Sequence, residues 1–133
     1  HTHWDREWYL SRAAFVARLV PMMDDLLARL AAQPALRSFL LDGQTIHVED
    51  YLSVRPERAS EVAALVRTGR LQVGPWYVLA DEVIPSGEAL IRNLLIGAAQ
   101  SARLGGRLDV LYSPDAFGHP AFLPSLGREF GIG

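Results

Sequence analysis

Ser38-Phe39-Leu40-Leu41-Asp42-Gly43-Gln44-Thr45-Ile46-His47-Val48-Glu49-Asp50-Tyr51-Leu52-Ser53-Val54 changes rhythm in its middle, and that change decides the fold class. Phe39, Leu40 and Leu41 form a short unbroken apolar run closed by Asp42 and Gly43, which reads as a buried strand ending in a polar turn. Residues 45–54 then read as a helix. A second helix is expected over residues 56–68, opened by Pro56 with Glu57 in its first turn and closed before Gly69. Leu71-Gln72-Val73 gives the next short strand, running into Gly74-Pro75-Trp76. Upstream, Phe15, Leu19, Met22, Met23, Leu26, Leu27 and Leu30 fall at helical spacing between Ser11 and Ala32. Pro21 predicts a kink or break there, because it lacks an amide donor and clashes with the preceding turn. Asp24 and Asp25 diverge on that helix and read as solvated charge. Downstream, Ser86 is an N-cap for a helix marked by Leu90, Ile91, Leu94, Leu95 and Ala98 that stops at Gly105-Gly106. Asp109 to Tyr112 reads as a fourth strand. Strands alternating with helices of this length define an α/β fold with a parallel sheet. In such folds ligands gather at the C-terminal ends of the strands.

The polar residues of interest follow that rule. His1, His3 and Asp5 stand near the first strand end, and Asp42 after the second. Trp76 with Asp81 and Glu82 follows the third, and Asp115 the fourth. If residues 1–5 end a strand, side chains at i, i+2 and i+4 share a face, so His1, His3 and Asp5 project together as metal ligands. A lone His-x-His is ordinarily a frayed terminus; Asp5 and the flanking Trp4 and Trp8 raise the case, since exposed indoles beside polar ligands suit a flat ligand. Imidazole nitrogens with carboxylate oxygens fit Zn²⁺, with Co²⁺ or another divalent ion such as Mn²⁺ as substitutes. Asp115 sits in Ser113-Pro114-Asp115-Ala116-Phe117-Gly118-His119-Pro120, whose prolines and glycine would hold a carboxylate at a fixed angle. It is a candidate third ligand, and also a candidate nucleophile at an anomeric carbon. Trp8, Trp76 and Phe117 are read as an apolar platform for a pyranose ring, and Asp81 as substrate-binding. Asp42 is read as capping its own turn. His47 is expected to bond Asp50 or Tyr51 at i+3 or i+4.

Composition narrows the function classes. The chain has 133 residues, half of them hydrophobic, the size of one domain. Thirteen basic against fifteen acidic residues give a formal charge of -2, which makes no electrostatic case for nucleic acid or an anionic membrane. With no cysteine, any metal ligand must be His, Asp or Glu, and a reducing compartment, the cytoplasm, is the expectation. No apolar run approaches the roughly 18 to 20 residues that span a bilayer. The sequence carries no signature of oligomeric state.

With those motifs in hand, the chain resembles the glycoside hydrolase family 38 α-mannosidases, particularly bacterial members. The resemblance runs in order through residues 1–8, Phe39 to Thr45, Val73 to Tyr77, Ser86 to Leu95 and Ser113 to His119. It implies a retaining, zinc-dependent α-mannosidase, built on a parallel (β/α) barrel of the family's N-terminal type. By that resemblance His3 and Asp5 bind zinc, Asp115 is both zinc ligand and nucleophile, and Trp8 and Phe117 line the mannose subsite. His119 and His1 match the motifs in supporting roles. Family members are far longer, so residues 1–133 are expected to be part of the catalytic domain, truncated at both ends, with a further ligand histidine and the acid/base lying beyond. Alone, these residues are expected to fold marginally and to lack turnover. Two rivals remain at this point: a metal-dependent amidohydrolase or deacetylase, and a non-catalytic carbohydrate-binding module using Trp8, Trp76 and Tyr77.

Overall fold

A computed structural model describes residues 1–132. Two strands, β1 (Phe39–Leu40) and β2 (Leu71–Gln72), pair in parallel with Phe39 opposite Leu71 and Leu40 opposite Gln72. A parallel bridge between Thr2 and Leu41 adds the N-terminal segment beside β1, and one between Gln44 and Trp76 continues the β1–β2 alignment past the strand ends. The N-terminal segment, β1 and β2 therefore lie side by side in one direction. Helix α1 (Arg12–Ala32) makes the first crossover. Helix α2 (Ile46–Val54), a 3₁₀ turn at Pro56–Arg58 and α3 (Ala59–Arg67) make the second. Helices α4 (Gly87–Leu104) and α5 (Leu123–Glu129) follow. The α/β class is thus seen as helices around a small parallel sheet.

Each helix forms where its pattern and caps allow. Along α1, Phe15, Leu19, Met23, Leu26, Leu27 and Leu30 are buried in one stripe, and Ser11 Oγ accepts from the Ala14 amide at the start. The helix passes through Pro21 unbroken. Pro21 and Ala17, whose carbonyl loses its partner, both lie on the solvent face, where water replaces the bond. Ser86 caps α4 through the Ala89 amide at 3.2 Å, and α4 ends at Gly105, whose φ of 95° only glycine adopts without strain.

The main core joins the α1 stripe to Leu41, Val48, Tyr51, Val62, Val66, Leu71 and Val73. A smaller cluster gathers Trp76, Leu90, Leu94, Leu123, Leu126 and Ile132. Gly97 lets α4 press against the turn after β2: a Cβ there would stand 2.1 Å from the Pro75 carbonyl oxygen. Asn93 on α4 stitches the same turn, its Oδ1 accepting from the Tyr77 and Val78 amides at 2.8 and 3.1 Å.

Some expectations are corrected. Asp109 to Tyr112 is not a strand but irregular, with a bend at Asp109 and Val110; Leu108 donates one bond to the Val73 carbonyl, and no ladder follows among the described residues. Asp24 is not free charge, since it accepts from the Tyr51 hydroxyl at 2.7 Å and pairs with Arg55. The Tyr51 bond holds its carboxyl below the usual range. With Tyr51 engaged there, and Asp50 held by arginines, His47 bonds neither and packs edge-on against Trp4 instead. No helix among the described residues is long and apolar enough to cross a membrane.

Candidate functional site

The parallel bridge from Thr2 to Leu41 places the start of the chain over the C-terminal end of β1. There Asp42, fully buried and at a φ of 51°, takes three partners. Its Oδ2 accepts from the Trp4 amide at 2.6 Å and from Gln44 Nε2 at 3.0 Å, and its Oδ1 lies 3.4 Å from His3 Nδ1. A carboxylate accepts only, so Nδ1 carries the imidazole proton and the Nε2 lone pair faces outward. That arrangement orients a histidine for metal binding. Burial drives the Asp42 carboxyl above the usual range, against the pull of Trp4, Gln44 and His3. Burial pulls the His3 imidazole down, but Asp42, then Asp5 and Asp115, outweigh it, and the net shift is upward.

His3 Nε2 stands 3.9 Å from Asp5 Oδ1 and 3.5 Å from Asp115 Oδ2. Among the described residues these three offer ligand atoms that all lie within 4.8 Å of one another. Donors bonded tetrahedrally to zinc at about 2.1 Å stand roughly 3.4 Å apart, so the set fits such an ion with small adjustment. His1 does not join it. Its ring packs edge-on to Tyr112 at 6.4 Å, because its side chain is turned toward the loop before Asp115.

Asp5 is steadied by its neighbour. Arg6 Nε donates to Asp50 Oδ2 at 2.9 Å, and Arg12 Nε to Asp50 Oδ1 at 3.0 Å. Burial would raise the Asp50 carboxyl, but the two arginines hold it below the usual range. Gln44 adds a cross-tie, donating to the Trp4 carbonyl and accepting from the Leu79 amide, both at 3.0 Å. The loop after β1 thereby joins the first and third segments of the site.

Asp115 projects from the other side of a cleft of about 290 Å³, whose walls include His3, Asp5, Asp81, Trp8 and Phe117. Trp8 is 76% and Phe117 80% exposed, so two bare aromatic faces stand beside three metal-type side chains. Asp81 lines the cleft with one oxygen engaged by the Phe117 amide at 3.3 Å. Trp76, expected in the platform, is instead 2% exposed and part of the smaller core cluster, because the turn after β2 folds it under α4. Trp4, read as exposed, packs edge-on against Phe15 and His47. His119 does not face the cleft directly; its Nδ1 lies 2.6 Å from Glu82 Oε2.

Sequence reasoning missed Asp42 as a partner of His3, Gln44 as a cross-tie and Glu82 as a buried acid. A signal existed for the first two, since Asp42-Gly43-Gln44 closes a buried strand at the ligand end of a parallel sheet. Glu82 had only its place beside Asp81.

Comparison with known proteins bears on the whole chain. The family model described as glycosyl hydrolases family 38 N-terminal domain matches residues 1–133. A protein of Halalkalibacterium halodurans provisionally named mannosylglycerate hydrolase is 45% identical over 133 residues, covering 99% of this chain and 15% of that protein. Alpha-mannosidase G of Dictyostelium discoideum is 34% identical over 79 residues, 58% of this chain and 7% of that protein. The crystal structure of an alpha-mannosidase from Enterococcus faecalis superposes with a TM-score of 0.95 at 40% identity, covering 99% of this chain and 15% of that one. The chain thus spans about 15% of the length of such relatives.

Proposed function

The chain belongs to glycosyl hydrolase family 38, and on that premise we propose that it carries the nucleophile and part of the metal site of a retaining α-mannosidase acting on terminal α-mannosides. The observation that carries the reading is the convergence of His3, Asp5 and Asp115 in one cleft beside the bare faces of Trp8 and Phe117. His3 through Nε2, Asp5 and Asp115 would hold a divalent ion, zinc by the mix of one imidazole and two carboxylates, with cobalt as a substitute. Such an ion supplies Lewis-acid polarisation of sugar hydroxyls when bound.

The remaining steps belong to the chain's own side chains. Trp8 and Phe117 take the apolar face of a mannose ring and exclude water from it. Asp115, 60% exposed on its side chain, is open to the sugar. Its carboxylate oxygen forms a bond to the anomeric carbon as the glycosidic bond breaks, and the leaving oxygen takes a proton from an acid group. Water, deprotonated by that same group, then attacks the anomeric carbon and releases Asp115, so the configuration is retained. Asp42 keeps the His3 imidazole in the tautomer that binds metal throughout. Cleavage is proposed for simple mannosides and for mannosylglycerate-like ones, the latter from the name of the Halalkalibacterium relative. A soluble cytoplasmic setting is part of the same proposal.

The test uses the full-length protein that carries this chain, treated with a 2-fluoromannoside bearing a good leaving group. Mass spectrometry should find one mannosyl adduct on the peptide containing Asp115, and Asp115→Ala should abolish it. An adduct elsewhere, or turnover by Asp115→Ala, overturns the reading. A chelator should stop turnover, with zinc or cobalt restoring it. Sugar binding that survives chelation in a protein without turnover would instead mark a carbohydrate-binding module.

A further inference from the structure

Ser113 and His119 flank the loop that carries Asp115, and one buried acid engages both. Glu82 is 2% exposed. Its Oε1 accepts from Ser113 Oγ, and its Oε2 lies 2.6 Å from His119 Nδ1. A carboxylate taken out of water costs several kcal/mol unless its oxygens are filled. Here the side-chain donors that fill them both come from the Asp115 loop. Glu82 itself does not line the cleft.

Its own anchorage is firm. Glu82 belongs to the segment between β2 and α4, where Asn93 holds the Tyr77 and Val78 amides and Gln44 holds Leu79. Asp81, one residue earlier, takes the Phe117 amide. Three points of the loop, at positions 113, 117 and 119, are therefore tied to two adjacent acids on a stitched segment. The loop has no strand or helix of its own between Tyr112 and Pro120 to hold it otherwise.

We propose that Glu82 is a positioning residue that clamps both ends of the Asp115 loop and so aims the nucleophile. This rests on the reading of Asp115 as the nucleophile. A misplacement of about 1 Å at a reacting atom costs on the order of 100-fold in rate. Trp8, His3 and Asp5 bind substrate from across the cleft, and Phe117 keeps its own tie to Asp81 when Glu82 is removed, so substrate binding does not pass through Glu82.

In the full-length enzyme, Glu82→Ala is expected to lower kcat by roughly 30- to 100-fold while KM stays within about three-fold. Glu82→Gln is expected to restore most of the rate: its carbonyl still accepts from Ser113, and its amide donates to His119 Nδ1 in the other tautomer. A purely structural role would move the melting temperature and both kinetic constants together. Ser113→Ala and His119→Ala should each slow turnover alone and add nothing in the Glu82→Ala background. The clamp is overturned if Glu82→Ala keeps its kcat, if Glu82→Gln is as slow as Glu82→Ala, or if the effects simply add. Should Glu82→Ala fail to fold, the single variants decide: wild-type kcat in both Ser113→Ala and His119→Ala sinks the proposal. Asp115→Ala run in parallel separates the two readings. If that variant is active, the nucleophile assignment falls; if it is dead while Glu82→Ala keeps the wild-type kcat, the clamp alone falls.

Discussion

The two sides of the cleft are fastened to the molecule unequally. His3 and Asp5 stand over the main core, where Asp42, Gln44 and Asp50 tie their segment to β1, α1 and α2 by backbone and charge-assisted bonds. Asp115 stands in an irregular loop beside the smaller cluster, tied by Asp81 and Glu82. One half of the site is therefore set when the core forms, whereas the other is set by a few polar bonds. Side chains proposed only to hold an ion lie on the rigid side. The one proposed to form and break a bond lies on the side whose aim rests on fewer contacts.

The largest expected effect tests the rigid side. Asp50→Ala removes a carboxylate 2% exposed and leaves Arg6 and Arg12 without their shared partner. Breaking a buried pair by deleting one member costs about 3–5 kcal/mol, and the partial exposure of the arginines places this case near the lower end. Urea unfolding should show a midpoint lowered accordingly, together with weaker metal binding as Asp5 loosens. If the midpoint does not move, the N-terminal segment is held by something other than Asp50, and the contrast between the two sides weakens.

How much of this was legible in the sequence follows the same divide. The helices were readable because an apolar stripe and a cap, as in Leu90, Leu94 and Ser86, are local features. The grouping of His3, Asp5 and Asp115 was readable from residue type and from polar turns that follow successive apolar segments, although the segment before Asp115 forms no strand. Asp109 to Tyr112 was misread since a strand exists only through a partner, and apolar alternation cannot supply one. Trp76 and Phe117 look alike as aromatic residues in turns rich in glycine and proline, yet α4 covers one and nothing described covers the other. Asp42 read as a cap of its own turn and Glu82 as a loop acid beside Asp81, because burial of a carboxylate is a tertiary fact. His47, read as a local hydrogen-bonding residue, is fully packed under Trp4 for the same reason.

That histidine gives the second test of the main core. Burial pushes the His47 imidazole down from 6.5 to about 4, outweighing the nearby Trp4 and Leu41 backbone and the charge of Asp50, which favour the charged ring. Below 6.5 the unfolded chain takes up a proton that the folded one refuses. The His47 contribution is therefore complete above pH 6.5, falls as pH drops from 6.5 to about 4, and levels off beneath. The full drop amounts to roughly 3 kcal/mol. Denaturant midpoints measured across that window should follow this slope, and His47→Leu should flatten it relative to the parent. An unchanged slope in His47→Leu would show that the core admits the charged imidazole.

The smallest expected effect lies on the loop side and sharpens the contrast most directly. Phe117 is 80% exposed, so truncating it removes little buried area, and Phe117→Ala should leave the unfolding free energy within about 0.5 kcal/mol. The same change strips one wall from the cleft, and an aromatic face lost from a sugar site weakens binding by about 1–3 kcal/mol, which is roughly five- to 150-fold in KM. Urea titration and initial-rate kinetics on the same preparation separate the two quantities. A large loss of stability would mean that the Asp115 loop is built into the core as firmly as His3 is, and the unequal fastening of the two walls would have to be abandoned. Unchanged KM with unchanged stability would take Phe117 out of the sugar site and leave Trp8 as its aromatic wall.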